Sequence, residues 1–427
     1  MLSPDPRGRP APCRSRSARG QPRVPCLSAP TYQLRSAVPP PRPRFRPPDD
    51  SGRHVVGARG LWERSCRTSV AGRFGNGCRL CRLVRRRLAV APCEPIRKWW
   101  HPAPRLRLQA QTSQNGRVLR HVLDARQFTR QWLEEQLFPS TLELQQTPTD
   151  RLEKALAGKR LFYLFYEPST RTRVSFEMAA TLLGATVHGI DSHEQYAQDE
   201  RLEDRIRVLN EYPHDFLLIR YDQEGGASRA ASVSGVPVIN AGDGPGQHPT
   251  QALLDAYTLW RELGRLDGLS IALVGDLSYQ RSTNSLAYLL SQFRDLSFYL
   301  VSPQLLRMRD EVRDHLTKSG AKIEEVRDLR AVAGDVDVIY VTRAQTTRLE
   351  HARRFESDTG KYTVDADVLA RLPTHARVLH PLPRGPELPP EFDADPRIAC
   401  FRQAANGLYV RMALLSLLAA ETAQAAV

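Results

Sequence analysis

A chain of 427 residues has room for two or three domains of about 150 residues each and is too long for a peptide or a single small module. Hydrophobic residues make up 41% and charged residues 25%, and no apolar run approaches the roughly 18 residues a membrane-spanning helix needs, so no membrane partner is expected. The net charge of +14 sits at one end: residues 1–116 hold 24 Arg and Lys against 5 Asp and Glu, while the other 311 residues hold 37 against 42, which argues against a nucleic-acid partner for the main body.

Residues 1–116 also carry 17 of the 32 prolines and six of the seven cysteines. Stretches such as Pro39-Pro40-Pro41-Arg42-Pro43-Arg44 lack an apolar period that could offset chain entropy, so a disordered basic extension is expected here. Three readings stay open: an Arg-rich, acid-poor transit segment, a nucleic-acid-binding tail, or translated upstream sequence of a GC-rich gene, since the chain has 55 Arg and only 6 Lys. Cys78 and Cys81 have the spacing of half a zinc site, but no second pair completes four ligands. Beyond residue 116 only Cys400 remains, which points to a reducing compartment, the cytoplasm.

From residue 118 the pattern becomes that of folded protein. A short strand or turn and an amphipathic helix fit 118–137. Apolar runs then alternate with helical periods: strand 161–165 and helix 174–183, strand 216–219 and helix 227–234, strand 236–239 and helix 251–263. The rhythm restarts with strand 270–274, helix 286–292, strand 296–301 and strand 336–341. Such alternation predicts an α/β protein of two doubly wound parallel-sheet domains, 117–260 and 261–405, with the seam in the helix around 256–266. The apolar, Ala/Leu-rich segment 406–427 reads as a C-terminal packing helix.

Three groups of residues point to chemistry. Ser169, Thr170, Arg171, Thr172 and Arg173 lie between a strand and a helix, where free backbone N–H groups and the helix dipole favour an anion. A plain Ser/Thr N-cap is the alternative, but three hydroxyls and two arginines in five residues exceed what a cap requires. In the glycine-rich loop 240–251, which only weakly resembles a dinucleotide fingerprint, His248 and Gln251 share one face of a helix start; His248 is either a cap or a ligand-facing group. Arg220, Arg281 and Arg343 follow strands, and in doubly wound folds those ends open on the ligand crevice, which suggests a multiply anionic substrate.

Together these segments resemble the aspartate/ornithine carbamoyltransferase family, in its aspartate-specific form. The resemblance rests on 169–177, on His248-Pro249-Thr250-Gln251-Ala252-Leu253-Leu254-Asp255, and on Val274-Gly275-Asp276-Leu277. His380-Pro381-Leu382-Pro383-Arg384 and Asn406-Gly407 with 411–415 complete it, over about 118–418 and not over 1–116. It implies a homotrimer with shared active sites, one domain for carbamoyl phosphate and one for L-aspartate, and transfer of the carbamoyl group to the aspartate amine in pyrimidine biosynthesis. No cofactor or metal is implied, because the task is to position two anions and stabilise an oxyanion. By motif, Ser169, Thr170, Arg171 and Thr172 would hold the phosphate, and Thr172, Arg220 and His248 would polarise the carbamoyl oxygen. Gln251 and the backbone of Leu382 and Pro383 would orient the carbamoyl amino group, while Arg281, Arg343 and Gln345 would take the aspartate carboxylates.

One position departs from the family. Where its members carry a loop Lys that reaches a neighbouring subunit's site, this chain has Gln198, and the companion Ser position reads Glu194. No Lys lies between Lys159 and Lys318, with Arg201 and Arg205 the nearby substitutes. Losing that cation costs transition-state stabilisation of about a few kcal/mol unless it is compensated. A catalytically impaired homologue serving a structural or regulatory role is therefore the second hypothesis, and a different amine acceptor the third. A regulatory chain or a dihydroorotase-like protein is a further possible partner.

Overall fold

The computed structural model describes residues 119–152, 155–191, 200–343 and 359–425. Two parallel sheets organise it. In the first, β1 (Arg160–Phe165), β2 (Thr186–Asp191), β3 (Phe216–Tyr221) and β4 (Val238–Asp243) lie in the order β2-β1-β3-β4. In the second, β5 (Ser270–Val274), β6 (Ser297–Val301), β7 (Lys322–Val326), β8 (Val338–Val341) and β9 (Arg377–Leu379) lie in the order β7-β6-β5-β8-β9. The inner strands are continuous apolar runs because helices cover both faces: Phe216 to Ile219, Ile271 to Val274 and all of β8 are buried.

The helices that matter for the site are α1 (Phe138–Gln146), α2 (Thr170–Leu182), α3 (Leu202–Asn210), α4 (Gly226–Val233), α5 (Pro249–Leu263), α6 (Arg281–Leu290), α7 (Asp310–Lys318), α8 (Ala366–Arg371) and α9 (Cys400–Ala425). Pro249 starts α5, where its fixed φ and missing N–H cost nothing, and Gly264 at φ 72° ends it. Every α5 residue from Pro249 to Leu259 is buried, so this helix meets solvent only in its last turn; it packs on α6 and α9. Tyr257 and Trp260 of α5 meet the Phe138 ring of α1 at 5.7 and 5.3 Å, fixing one end of the core. The C-terminal helix also packs on α1 and α2, the packing role expected of it, although it starts at Cys400 rather than 406.

In the first sheet the chain leaves β1 for β2 on one side and returns to β3 on the other; β5 has the same relation to β6 and β8 in the second. At such a reversal the connections at the carboxyl ends of the strands diverge and leave a crevice. The segments following β1, β5 and β8 carry Ser169 to Thr172, Arg281 and Arg343, Arg220 stands within β3 one residue before its carboxyl end, and all of these line one cleft.

The strand order extends beyond the sequence expectation. β2, β7 and β9 are absent from that expectation: β2 and β7 are edge strands whose residues are mostly exposed or half-exposed, so they lack an apolar signature, and β9 is only 3 residues long. Helices α2 and α6 begin at Thr170 and Arg281, four and five residues before the expected starts at 174 and 286, because their first turns are polar, with Thr170, Arg171, Thr172, Arg281 and Ser282 lining the cleft. Among the described residues no helix is long and apolar enough to cross a membrane.

Candidate active site

An open cleft of about 840 Å³ lies where the two crevices meet. It brings together Ser169, Thr170, Arg171, Thr172, Arg220, His248, Gln251, Arg281, Arg343, Leu382 and Pro383, the eleven described residues to which the family motifs give a substrate contact. Gln345 and Gln198, and with Gln198 the position of Glu194, lie outside the described residues. Residues 1–116 lie outside them as well.

The plain-cap alternative for the first motif does not hold. Ser169 occupies the N-cap of α2, yet its hydroxyl makes no cap hydrogen bond, and it faces the cleft beside Thr170 and Thr172. His248 likewise occupies the N-cap of α5 without its ring capping the helix. Gln280 at the start of α6 turns away from its own helix and donates from Nε2 to the Arg343 carbonyl at 2.5 Å. Three helix N-termini, each a positive dipole end, thus open on one space. Arg173, by contrast, is drawn away from the cleft by ion pairs to Asp191 and to Glu177, so one of the two arginines counted for the anion motif belongs to the helix surface.

The arginines are held by a group that sequence reading left without a role. Glu167, directly after β1, accepts from Arg281 Nη2 at 2.8 Å and lies 3.3 Å from Arg220 Nη2. Arg220 Nη1 donates to the Ala241 carbonyl at 2.9 Å and Arg281 Nη1 to the Gly244 carbonyl at 2.8 Å. Gly242, at φ +114°, lets both guanidiniums approach: a Cβ there would stand 2.9 Å from Arg220 Nη1 and from Arg281 Nε. Gly242 therefore serves arginine packing, whereas Gly244 and Gly246 lie against residues 222–224 and Asp243.

His248 Nε2 stands 3.5 Å from Thr172 Oγ1, and its backbone N–H donates to Ser285 Oγ at 2.8 Å. Burial, reinforced by Arg220, Arg281 and Arg411, holds its pKa well below the ordinary histidine value, so the imidazole is neutral at pH 7. A neutral ring keeps one N–H to donate to a carbonyl or oxyanion and takes no strong acid role. Burial and then the charge of Arg343 lower the pKa of Arg171, and both guanidiniums line the same cleft.

Beneath the cleft floor lies a second layer. Asp255, fully buried, accepts from Gln251 Nε2 at 2.8 Å, Gln403 Nε2 at 2.6 Å and Tyr340 Oη at 2.7 Å. Burial raises its pKa to about 6 despite those donors. Gln403 Oε1 accepts from the His380 N–H at 2.9 Å; His380 Nδ1 accepts from the Leu382 N–H at 2.8 Å, and His380 Nε2 faces Glu387 Oε1 at 2.9 Å. The backbone at Leu382 and Pro383 is thereby tied through His380 and Gln403 to the carboxylate that orients Gln251. Sequence reading missed Glu167, Tyr340, Glu387 and Gln403; only Gln251 and Asp255, four apart on one helix, carried a local signal.

Arg201 and Arg205, the nearby substitutes for the missing Lys, are engaged elsewhere within the chain. Arg205 Nε donates to Glu200 at 2.7 Å and its guanidinium lies over the Tyr166 ring at 5.5 Å, while Arg201 Nε is 4.0 Å from Glu203.

Comparison with known proteins agrees with this geometry. Residues 120–261 match the aspartate/ornithine carbamoyltransferase carbamoyl-P binding domain, and residues 267–418 match the Asp/Orn binding domain of the same family. The chain is 47% identical over 305 residues to a chloroplastic aspartate carbamoyltransferase of Arabidopsis thaliana, covering 70% of this chain and 78% of that one. It is 44% identical to an aspartate carbamoyltransferase catalytic subunit of Thermococcus onnurineus, covering 70% and 96%. Among solved structures, aspartate transcarbamoylase from Trypanosoma cruzi in complex with carbamoyl phosphate and aspartate superposes with a TM-score of 0.66 at 35% identity, covering 70% of this chain and 96% of that one. The chain belongs to the aspartate/ornithine carbamoyltransferase family.

Proposed function

We propose that this protein is an aspartate carbamoyltransferase: it transfers the carbamoyl group of carbamoyl phosphate to the amine of L-aspartate, releasing phosphate and N-carbamoyl-L-aspartate for pyrimidine biosynthesis. The observation that carries the reading is the convergence of Ser169 to Thr172, Arg220, His248, Gln251, Arg281 and Arg343 on one cleft at two strand reversals. The segment 117–260 takes carbamoyl phosphate and 261–405 takes aspartate. At the α2 N-terminus, Ser169, Thr170, Arg171 and Thr172 bind the phosphate. Thr172, Arg220 and neutral His248 donate to the carbamoyl oxygen as negative charge develops on it. Gln251 and the backbone at Leu382 and Pro383 hold the carbamoyl amino group. The aspartate carboxylates displace Glu167 from Arg281 and meet Arg343, with Gln345 beside them. The amine then attacks a carbon whose leaving group is already bound, so catalysis comes from positioning and preorganised charge.

The test is product formation with each acceptor. Purified protein supplied with carbamoyl phosphate is expected to carbamoylate aspartate and to leave ornithine unreacted; reaction with ornithine alone would overturn the assignment.

A homotrimer is the second part of the proposal. It is supported by the apolar side chains that α2 and its edge strand leave uncovered, Val174 at 42%, Met178 at 48% and Ile190 at 47% exposure. Val174 and Met178 also line the cleft, so a second copy seated there would complete the site. Sedimentation at three times the 48.1 kDa chain mass is expected, and a monomer at working concentration would contradict it. For the compartment, the cysteine distribution favours the cytoplasm, whereas the plant relatives are chloroplastic by name. Imaging the full chain fused to a fluorescent protein decides between them, organellar signal overturning the cytoplasmic reading.

A further inference from the structure

Arg411, on the fourth turn of α9, is only 4% exposed and lines the cleft. Arginines at such depth are ordinarily paired, because an uncompensated buried charge is costly. Among the described residues Arg411 makes no hydrogen bond or ion pair. Its Nε is buried without a partner, and its guanidinium lies over the Phe176 ring of α2 at 5.2 Å. Asp255 acts on it electrostatically, but that carboxylate is taken up by Gln251, Gln403 and Tyr340. Burial pulls the Arg411 pKa down to about 10, still far above neutrality, so the group is charged.

The surroundings say what that charge awaits. Phe176 lies one turn beyond Thr172 on α2, and Leu254, one turn beyond Gln251 on α5, lines the cleft with Arg411. The guanidinium therefore sits one helical turn below Thr172 and Gln251, near enough to His248 to help lower its pKa. Gly407, one turn earlier on α9, makes room for it: a Cβ there would stand 2.7 Å from Arg411 Nη1 and 3.0 Å from Leu254 Cδ2.

We propose that Arg411 is a further substrate-binding residue, whose guanidinium donates from the cleft floor to bound carbamoyl phosphate and is compensated only when that anion is present. The inference rests on reading the cleft as a carbamoyl-phosphate site. It adds a cation from the C-terminal helix to the donors of α2, β3 and α5, and it gives α9 a part in binding besides packing. A planar guanidinium stacked on a ring is fixed in direction, so Lys replaces it only in part.

The experiment is a carbamoyl-phosphate titration followed by melting temperature, with the full-length chain, each variant compared with its own ligand-free value. The parent is expected to be stabilised by carbamoyl phosphate. In Arg411→Gln the titration midpoint is expected to rise at least tenfold, and in Arg411→Lys by less than in Arg411→Gln. Should Arg411→Gln fail to fold, Arg411→Lys and Gly407→Ala still decide. In Gly407→Ala the new methyl displaces the guanidinium, and a midpoint at least threefold higher is expected. A parent that carbamoyl phosphate does not stabilise would sink the reading of the cleft itself. A stabilised parent, with midpoints in the folded variants within twofold of it, would overturn the role of Arg411 and leave that reading intact.

Discussion

Arg171→Ala is expected to lower kcat/KM for carbamoyl phosphate by about 10²–10³-fold, with the ligand-free melting temperature little changed. Arg171 lines the cleft in the first turn of α2, where helix dipole and backbone donors already favour an anion. Its own pKa is lowered by burial and by Arg343, the mark of a cation placed for a ligand rather than for a protein partner. Removing it relieves that repulsion in the free protein, so folding loses little while binding loses a charge-assisted, bidentate contact. Arg173→Ala is the matched control: that guanidinium pairs with Asp191 and Glu177 outside the cleft, and the substitution is expected to leave kcat/KM within about threefold, as for other exposed ion pairs. Steady-state kinetics on the two variants settles the point, and a loss below tenfold for Arg171→Ala would contradict its assignment to the phosphate.

Asp255→Ala is expected to cost about 3 kcal/mol of stability and, by releasing Gln251, to weaken carbamoyl-phosphate binding as well. Three donors, from α5, α9 and β8, converge on this one carboxylate in the core. Truncation leaves Gln251 Nε2, Gln403 Nε2 and Tyr340 Oη without an acceptor where water does not replace it. Relief from burying a charge offsets part of that loss, which is why the expected figure is below the sum of three orphaned groups. Asp255 also has a pH signature. Its folded pKa of about 6 lies above the ordinary 3.8, so between those values the folded state binds the proton more tightly than the unfolded chain does. Its contribution is fully present below pH ~4 and is lost as the pH rises through about 6; Asp255→Asn should lack that component. Urea denaturation at pH 4.5 and pH 7 measures both effects, and an Asp255→Ala protein as stable as the parent would contradict the network.

The central strands and the cleft residues were legible in the sequence for a common reason. Strands buried on both faces are written as apolar runs, as in 216–219 and 270–274, and the residues that follow them are forced to the crevice. Legibility failed where the physics is not local. The edge strands β2 and β7 leave too many side chains in water to carry a period. Helix starts were placed late because the first turns, Thr170 to Arg173 and Arg281 to Asn284, are polar and carry no apolar period. The Asp255 network joins Tyr340 and Gln403, 85 and 148 residues away, and no window of sequence contains it. Glu167 was in view beside the phosphate turn, but its partners Arg220 and Arg281 meet it only after two sheets have formed.

On the proposed function, the cleft runs the carbamoyl transfer even though Gln198 stands where the family carries a Lys. The most direct measurement is the rate of N-carbamoyl-L-aspartate formation from carbamoyl phosphate and aspartate by the purified protein, beside its Gln198→Lys variant. Turnover by the parent is expected, with Gln198→Lys no more than modestly faster. No product from the parent, with turnover gained in Gln198→Lys, would contradict it and identify an impaired homologue that keeps an intact substrate cradle.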